Sequence, residues 1–223
     1  MYNFMEPTFT LDLFTILPLV CSLFVAFFAG LILFNTERNS LHRLLAAFCG
    51  SMFLWMFGTF MMFGNRIANP AVSEFWDRFV YTGVVWMPPL MQHFSLVFTE
   101  QKKQRMLLWC NYAIAVFFLF AAWTPWFVSG LNVYSWGAHT KAQILHHIFL
   151  GYFFVGTGIF FVNMLRAFRA SVDTVFRKQI RLIFNAFAIV IFVGGSAYLY
   201  AYGIYTRFPF AYFSGLIFPI VLF

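Results

Sequence analysis

The sequence predicts an all-α membrane protein, a seven-transmembrane-helix bundle with its N-terminus outside and its C-terminus in the cytoplasm. Three observations predict it. The 223 residues are 62% hydrophobic and only 9% charged, where a soluble domain carries about 25% charge. The apolar residues gather in recurring runs near the ~20 residues that a helix needs to cross a bilayer. The net charge of +7 sits mostly in short loops between those runs. That is a topology pattern rather than a nucleic-acid surface, so no nucleic-acid partner is expected.

The runs divide residues 1–223 into a single domain with helices at about 11–35, 44–64, 70–99, 106–128, 146–166, 180–205 and 210–223. The first follows Glu6 and Asp12 and lacks the basic start and short apolar core of a cleaved signal peptide, so it reads as a retained helix. The third is long because Asn69 and Pro70 make an N-cap followed by proline at the first helical position. Its first turns, with Ser73, Glu74, Trp76, Asp77 and Arg78, would stand above the hydrocarbon. The seventh run has too few residues for a comfortable span, and reads as a helix cut short at Phe223. Cys21, Cys49 and Cys110 all fall inside apolar runs and form neither a disulfide framework nor a metal spacing.

Orientation follows from the loops. Segments 36–43, 100–105 and 166–181 carry Arg38, Arg43, Lys102, Lys103, Arg105, Arg166, Arg169, Arg177, Lys178 and Arg181, which is 10 of the 14 basic residues. The positive-inside rule places them in the cytoplasm. Arg66, Arg78, Lys141 and Arg207 fall on the other side, where segment 129–145 is the longest outside loop.

Polar residues inside the apolar runs are few, which makes each one informative. Pro88 and Pro89 remove two backbone donors in the third run and strand the carbonyls near Val84 and Val85, so they mark a kink or hinge. Gln92 and His93 follow one turn later, and polar side chains in a membrane helix usually face the bundle. With Asn111, Asn163 and Asn185 they outline an inner polar layer, which amides can build simply by gluing helices together. Glu100, at the inner boundary, is expected to pair with Lys102, Lys103 or a loop arginine. The outer half is aromatic instead. Trp123, Trp126 and Tyr202 fit either an interfacial belt or a pocket wall. Trp55 and Trp86 lie deeper and need partners for their indole N–H groups.

The candidate ligand-binding set is therefore Trp55, Trp86, Tyr198 and Tyr202 as walls, with Gln92 and His93 as a polar floor. The ligand that suits it is small and largely apolar, because charged residues are too few for a polyanion or a sugar. His139, His146 and His147 invite a metal, but adjacent histidines on a helix diverge and no carboxylate or thiolate accompanies them. No metal and no cofactor is expected. His93 and His147 lie at different depths and do not suit haem, and the sixth and seventh runs lack the lysine of a retinal Schiff base. Gly151, Gly156 and Gly158, like Gly194, Gly195, Ser196, Ala197 and Ala201, mark close helix crossings. No catalytic constellation is visible, since an enzyme would need convergent acids, nucleophiles or metal ligands.

"FWDRFVYTGVVWMPPLMQHFSLVFTE" (75–100) resembles the third-helix signature of the N-terminal seven-helix sensor region of bacterial histidine kinases. Trp55 with Gly58, "YSWGAHT" (134–140), "FRKQIRLIFNAFAIVIFVGGSAYLYAYGI" (176–204) and "FSGLIFPIVLF" (213–223) resemble further pieces of that family in order. The resemblance implies a multi-pass sensor in the bacterial inner membrane, acting in a two-component system. It also implies signal transduction to a cytoplasmic output module such as a histidine kinase, and acyl-chain ligands for some relatives. Membrane lipid and either a homodimer partner or a membrane-complex partner would be its contacts. No kinase segment follows Phe223, so a truncated receptor and a stand-alone relative both stay open. So does a non-sensing membrane subunit or scaffold.

Overall fold

A computed structural model describes residues 9–35, 39–67, 69–101 and 103–222. Glu6, Arg38, Lys102 and Phe223, used in the sequence reading, lie outside the described residues. The helices fall into seven runs. The first two are α1 (Leu13–Asn35) and α2 (Ser40–Asn65), and the third is split into α3 (Pro70–Val84) and α4 (Met87–Phe98). Next come α5 (Arg105–Ala121) and α6 (Ile144–Ala170). The sixth run starts as α7 (Thr174–Ala188), passes through a π-helical stretch (Ile189–Val193) and a 3-10 stretch (Gly194–Ala197), and ends as the single turn α8 (Tyr198–Ala201). A 3-10 turn (Phe210–Phe213) then leads into α9 (Ser214–Leu222). Leu13–Phe34, Ser40–Asn65, Ile144–Ala170 and Thr174–Ala201 are long and apolar enough to cross a membrane, and Arg105–Ala121 and Phe210–Leu222 are shorter apolar helices. The chain is a helical membrane protein.

Local chemistry sets the helix starts. Asn39 accepts the His42 N–H at 3.0 Å, Asn69 accepts those of Ala71 and Val72, and Asp173 accepts that of Val175 at 2.8 Å. Each satisfies donors that a helix start leaves free. Pro88 and Pro89 lie in the first turn of α4, where a missing N–H costs nothing. The chain bridges the break through Val85 and Trp86, whose N–H groups reach Tyr81 and Gly83 carbonyls at 3.2 Å. Both prolines are buried. Glu100 ends the run with a left-handed φ of 54°. It is exposed and makes no ion pair with Lys103 or an arginine among the described residues, and the expected pairing with Lys102 lies outside them.

An all-α architecture is corrected at one place. Segment 129–145, expected as an outer loop, is mostly an antiparallel hairpin of β1 (Val128–Tyr134) and β2 (Gly137–Ala142), irregular between Val128 and Leu131. It folds over one end of the bundle. Trp136 at its tip is fully buried, stacks on Tyr134 at 4.8 Å, meets Tyr200 at 4.7 Å, and donates its indole N–H to the Thr206 carbonyl. Arg78 secures the hairpin's base by donating to the carbonyls of Ala122, Thr124 and Val128 while paired with Glu74 at 2.8 Å.

The core at the opposite end is aromatic. Phe187 packs on Phe48 and Phe160 at 4.7 Å, on Phe218 at 5.2 Å and on Phe94 at 5.6 Å, drawing the second, third, fifth, sixth and seventh runs together. Gly83 lets α3 close on α2, since a Cβ there would lie 2.5 Å from the Ser51 carbonyl oxygen. Gly156 does the same for α6 against Pro88, at 2.8 Å.

Candidate functional site

Beneath the hairpin lies a buried polar cluster built on one face of α3. Ser73, Asp77 and Tyr81 recur at four-residue spacing, so they line one side of the helix, and all three are buried. Ser73 donates to the Met62 carbonyl at 2.8 Å, fixing α3 to α2. Asp77 is fully buried. Its Oδ2 accepts the backbone N–H of Thr140 at 2.6 Å and also the Thr140 hydroxyl. His139 Nδ1 lies 3.0 Å from the same oxygen but without hydrogen-bond alignment. Oδ1 has no partner. A buried carboxylate is costly unless it is paired and hydrogen-bonded, and β2 supplies that compensation. The hairpin is thereby tied to the third helix.

One turn deeper, the Tyr81 hydroxyl lies 3.0 Å from His146 Nε2, and His146 Nδ1 lies 3.3 Å from the Tyr202 hydroxyl. This line of groups links α3, α6 and the end of the sixth run. Phe127 and Phe149 pack edge-on against Tyr81 and seal it. The Tyr198 and Tyr212 hydroxyls close by are buried without partners.

Tyr81, Tyr198 and His139 of this cluster line a cavity of about 30 Å³, which has room for ordered water but not for a larger molecule. Trp55 of α2 bounds it on one side, with Val80, Tyr81 and Val84 of α3 and Met87 of α4. Val190, Gly194 and Tyr198 of the sixth run bound it on the other, with Phe153 of α6 and His139 of β2. The third and sixth runs both leave α geometry here, one at the Val85–Trp86 break and the other in the π and 3-10 stretches. Such departures often mark functional hinges.

The sequence-predicted residues divide between this cavity and other places. Trp55 and Tyr198 share it. Trp86 is half-buried in a separate groove with Leu90 and Ala47. Tyr202 is 38% exposed and stands behind His146. The polar floor expected at Gln92 and His93 is not part of the cavity. Gln92 belongs instead to a buried amide layer, accepting from Asn111 Nδ2 at 2.9 Å. Asn163 extends that layer by donating to Ser95 Oγ at 3.0 Å and bonding Gln104. His93 Nδ1 lies 3.1 Å from the Tyr112 hydroxyl and borders an open cleft with Glu100 and Arg105. Asn185, also expected in the layer, is exposed.

Sequence reading missed Asp77, Tyr81, Thr140 and the role of His139 and His146. The signal available was the Ser73–Asp77–Tyr81 spacing, a polar face where a membrane helix should not have one. His139, His146 and His147 do not converge: they face Asp77, two tyrosines and the Gln143 carbonyl respectively. Among the described residues no group of three His, Cys, Asp or Glu side chains is placed to hold a metal ion.

Compared with known families, residues 15–223 match the family described as the N-terminal 7TM region of histidine kinase. No curated protein matches the chain.

Proposed function

The chain belongs to the family of N-terminal 7TM regions of histidine kinases, and from that premise we propose that it detects a small, largely apolar signal within the bundle and passes it to a cytoplasmic kinase. In this reading its seven helical runs are seven spans of one domain in a bacterial inner membrane. The hairpin is outside and the loops around Arg43, Arg105 and Arg177 are in the cytoplasm.

One observation carries the reading. Two helices lose regular geometry at the same cavity, and that cavity is walled by aromatic side chains and contains unpaired polar atoms. Pockets with mostly apolar walls and a few orienting polar groups suit small ligands. At about 30 Å³ the cavity must widen to admit an acyl chain. The Val85–Trp86 break and the 194–197 stretch are where it can do so without disturbing a regular helix. Trp55 and Tyr198 would wall the ligand, with Tyr202 and Trp86 at its margins. Gln92 and His93, one turn beyond Pro88 and Pro89, would move with the break and carry the change toward the basic end.

The test is ligand-induced stabilisation of the purified chain in nanodiscs, using a series of medium-chain acyl amides. Wild type should melt higher as the chain lengthens to an optimum. Gly195→Leu, which lines the same cavity at a position where an added Cβ meets nothing within 4 Å, should abolish the shift while remaining folded. Equal shifts in both proteins, or none in wild type, would sink the proposal.

A further inference from the structure

The basic end of the bundle carries a second feature that the sensor reading does not use. Between the last turns of α6 and the first turns of α7 runs a groove of about 190 Å³. Met164 and Ile180, both buried, form its floor, Leu165, Phe168 and Phe184 form its walls, and Arg181 stands at its mouth. Two guanidinium groups share one aromatic platform there. Arg177 Cζ lies 4.4 Å from the Phe168 ring centroid and Arg181 Cζ lies 5.9 Å from it. Arginine stacks in this way without giving up its N–H donors, and the stacking removes part of the freedom that binding would otherwise cost.

Those donors are unused. Among the described residues neither Arg177 nor Arg181 has a hydrogen-bond acceptor or a carboxylate partner. Asp173, the acid nearest to them on α7, is occupied in capping the Val175 N–H. Arg166, Arg169 and Lys178 add positive charge around the pair.

We propose that Arg177 and Arg181, stacked on Phe168 at the mouth of the α6–α7 groove, bind the phosphate of an anionic phospholipid whose acyl chain lies in that groove. Paired guanidiniums match phosphate with parallel N–H donors, and clusters of basic residues at the end of a membrane helix attract anionic lipid. The apolar groove selects a lipid over free phosphate. It opens on the surface beside the exposed apolar side chains of Leu165 and Leu182, where a soluble anion gains nothing. The proposal rests on the chain being a membrane protein and not on its being a sensor.

Native mass spectrometry of the full chain in mild detergent tests it, with phosphatidylglycerol and phosphatidylcholine of equal chain length as probes. Phosphatidylglycerol should be retained preferentially. Arg177→Gln with Arg181→Gln should weaken that retention about tenfold, the scale of losing charge-assisted contacts to one phosphate. Leu165→Trp should weaken it comparably by filling the groove while keeping both charges. Arg207→Gln, at the opposite end, should leave it unchanged, and melting curves confirm that each variant is folded. Undiminished retention in Leu165→Trp, or competition by inorganic phosphate as strong as by the lipid, would show diffuse charge attraction and overturn the site. No preference between the two lipids would overturn it as well.

Discussion

Asp77 is the one buried carboxylate among the described residues. Its carboxylate is fully buried, one oxygen accepts from Thr140 with His139 Nδ1 beside it, and the other has no partner. Removing it leaves the Thr140 donors buried and unpaired, and breaking a buried pair by deleting one partner costs about 3–5 kcal/mol. Asp77→Ala is therefore expected to destabilise the folded chain by roughly 3 kcal/mol, and Asp77→Asn by less because it keeps an acceptor. Denaturant unfolding in detergent measures both, and an Asp77→Ala loss under about 1 kcal/mol would refute the assignment. Asp12 offers a second residue-scale test. Burial raises its pKa, but hydrogen bonds from Thr15 and the 2.5 Å pair with Arg66 outweigh that and hold it below the ordinary 3.8. A lowered carboxyl pKa stabilises the fold fully above the ordinary value, and the contribution is lost as pH falls through the lowered one. Asp12→Asn should thus lower the melting temperature at pH 7, and the gap to wild type should close as pH drops below about 3.8. A gap that does not depend on pH would contradict the charge pairing.

Helices show which features a sequence displays. Pro88 and Pro89 can be read directly as a break, because proline's missing donor acts locally whatever surrounds it. The Asn69–Pro70 start was legible for the same reason, as was the long apolar character of α1, α2 and α6. The π and 3-10 stretches of the sixth run were not. "IVIFVGGSA" carries two glycines but no proline, and its departure from α geometry accompanies a tertiary contact: a Cβ at Gly194 would lie 2.8 Å from the Trp55 ring and 2.9 Å from Ser214 Oγ. The hairpin escaped because Gly130 falls at the irregular register, which spoils strand alternation, and because its Ser135–Trp136 turn lacks the usual Asn-Gly signal. Half of the candidate site was invisible for a related reason. Trp55 and Tyr198 stand out as aromatics, but Asp77 became a site residue only once β2 folded over it. For the third run, replacing both prolines by alanine restores two donors and should straighten the α3–α4 junction. Spin labels at Phe75 and Glu100, both exposed, should then move apart. An unchanged separation would assign the break to packing around Val85 and Trp86 instead.

Across the whole molecule, charge and pairing are unevenly divided. The ion pairs of Asp12 with Arg66 and of Glu74 with Arg78, and the 3.0 Å contact of Asp77 with His139, all cluster at the hairpin end. Arg66 and Arg78 there are paired with carboxylates and held against the protein, while Lys141 and Arg207 are exposed. At the other end Arg105, Arg177 and Arg181 have no carboxylate partner among the described residues. Orientation follows the Lys and Arg near helix ends themselves rather than net charge, so the expected topology rests on where those basic residues lie and not on their pairing. The expected orientation puts the hairpin outside and the 171–173 turn inside. Single cysteines at Val133 and Ser171, both surface positions, decide it. Cys110 must first become serine, because it is exposed whereas Cys21 and Cys49 are buried. A membrane-impermeant maleimide added to intact cells should label Val133→Cys and leave Ser171→Cys unlabelled until the cells are opened. The reverse pattern would invert the bundle. It would place the Asp77 cluster on the cytoplasmic side and remove the hairpin as the outer cover of the proposed signal site.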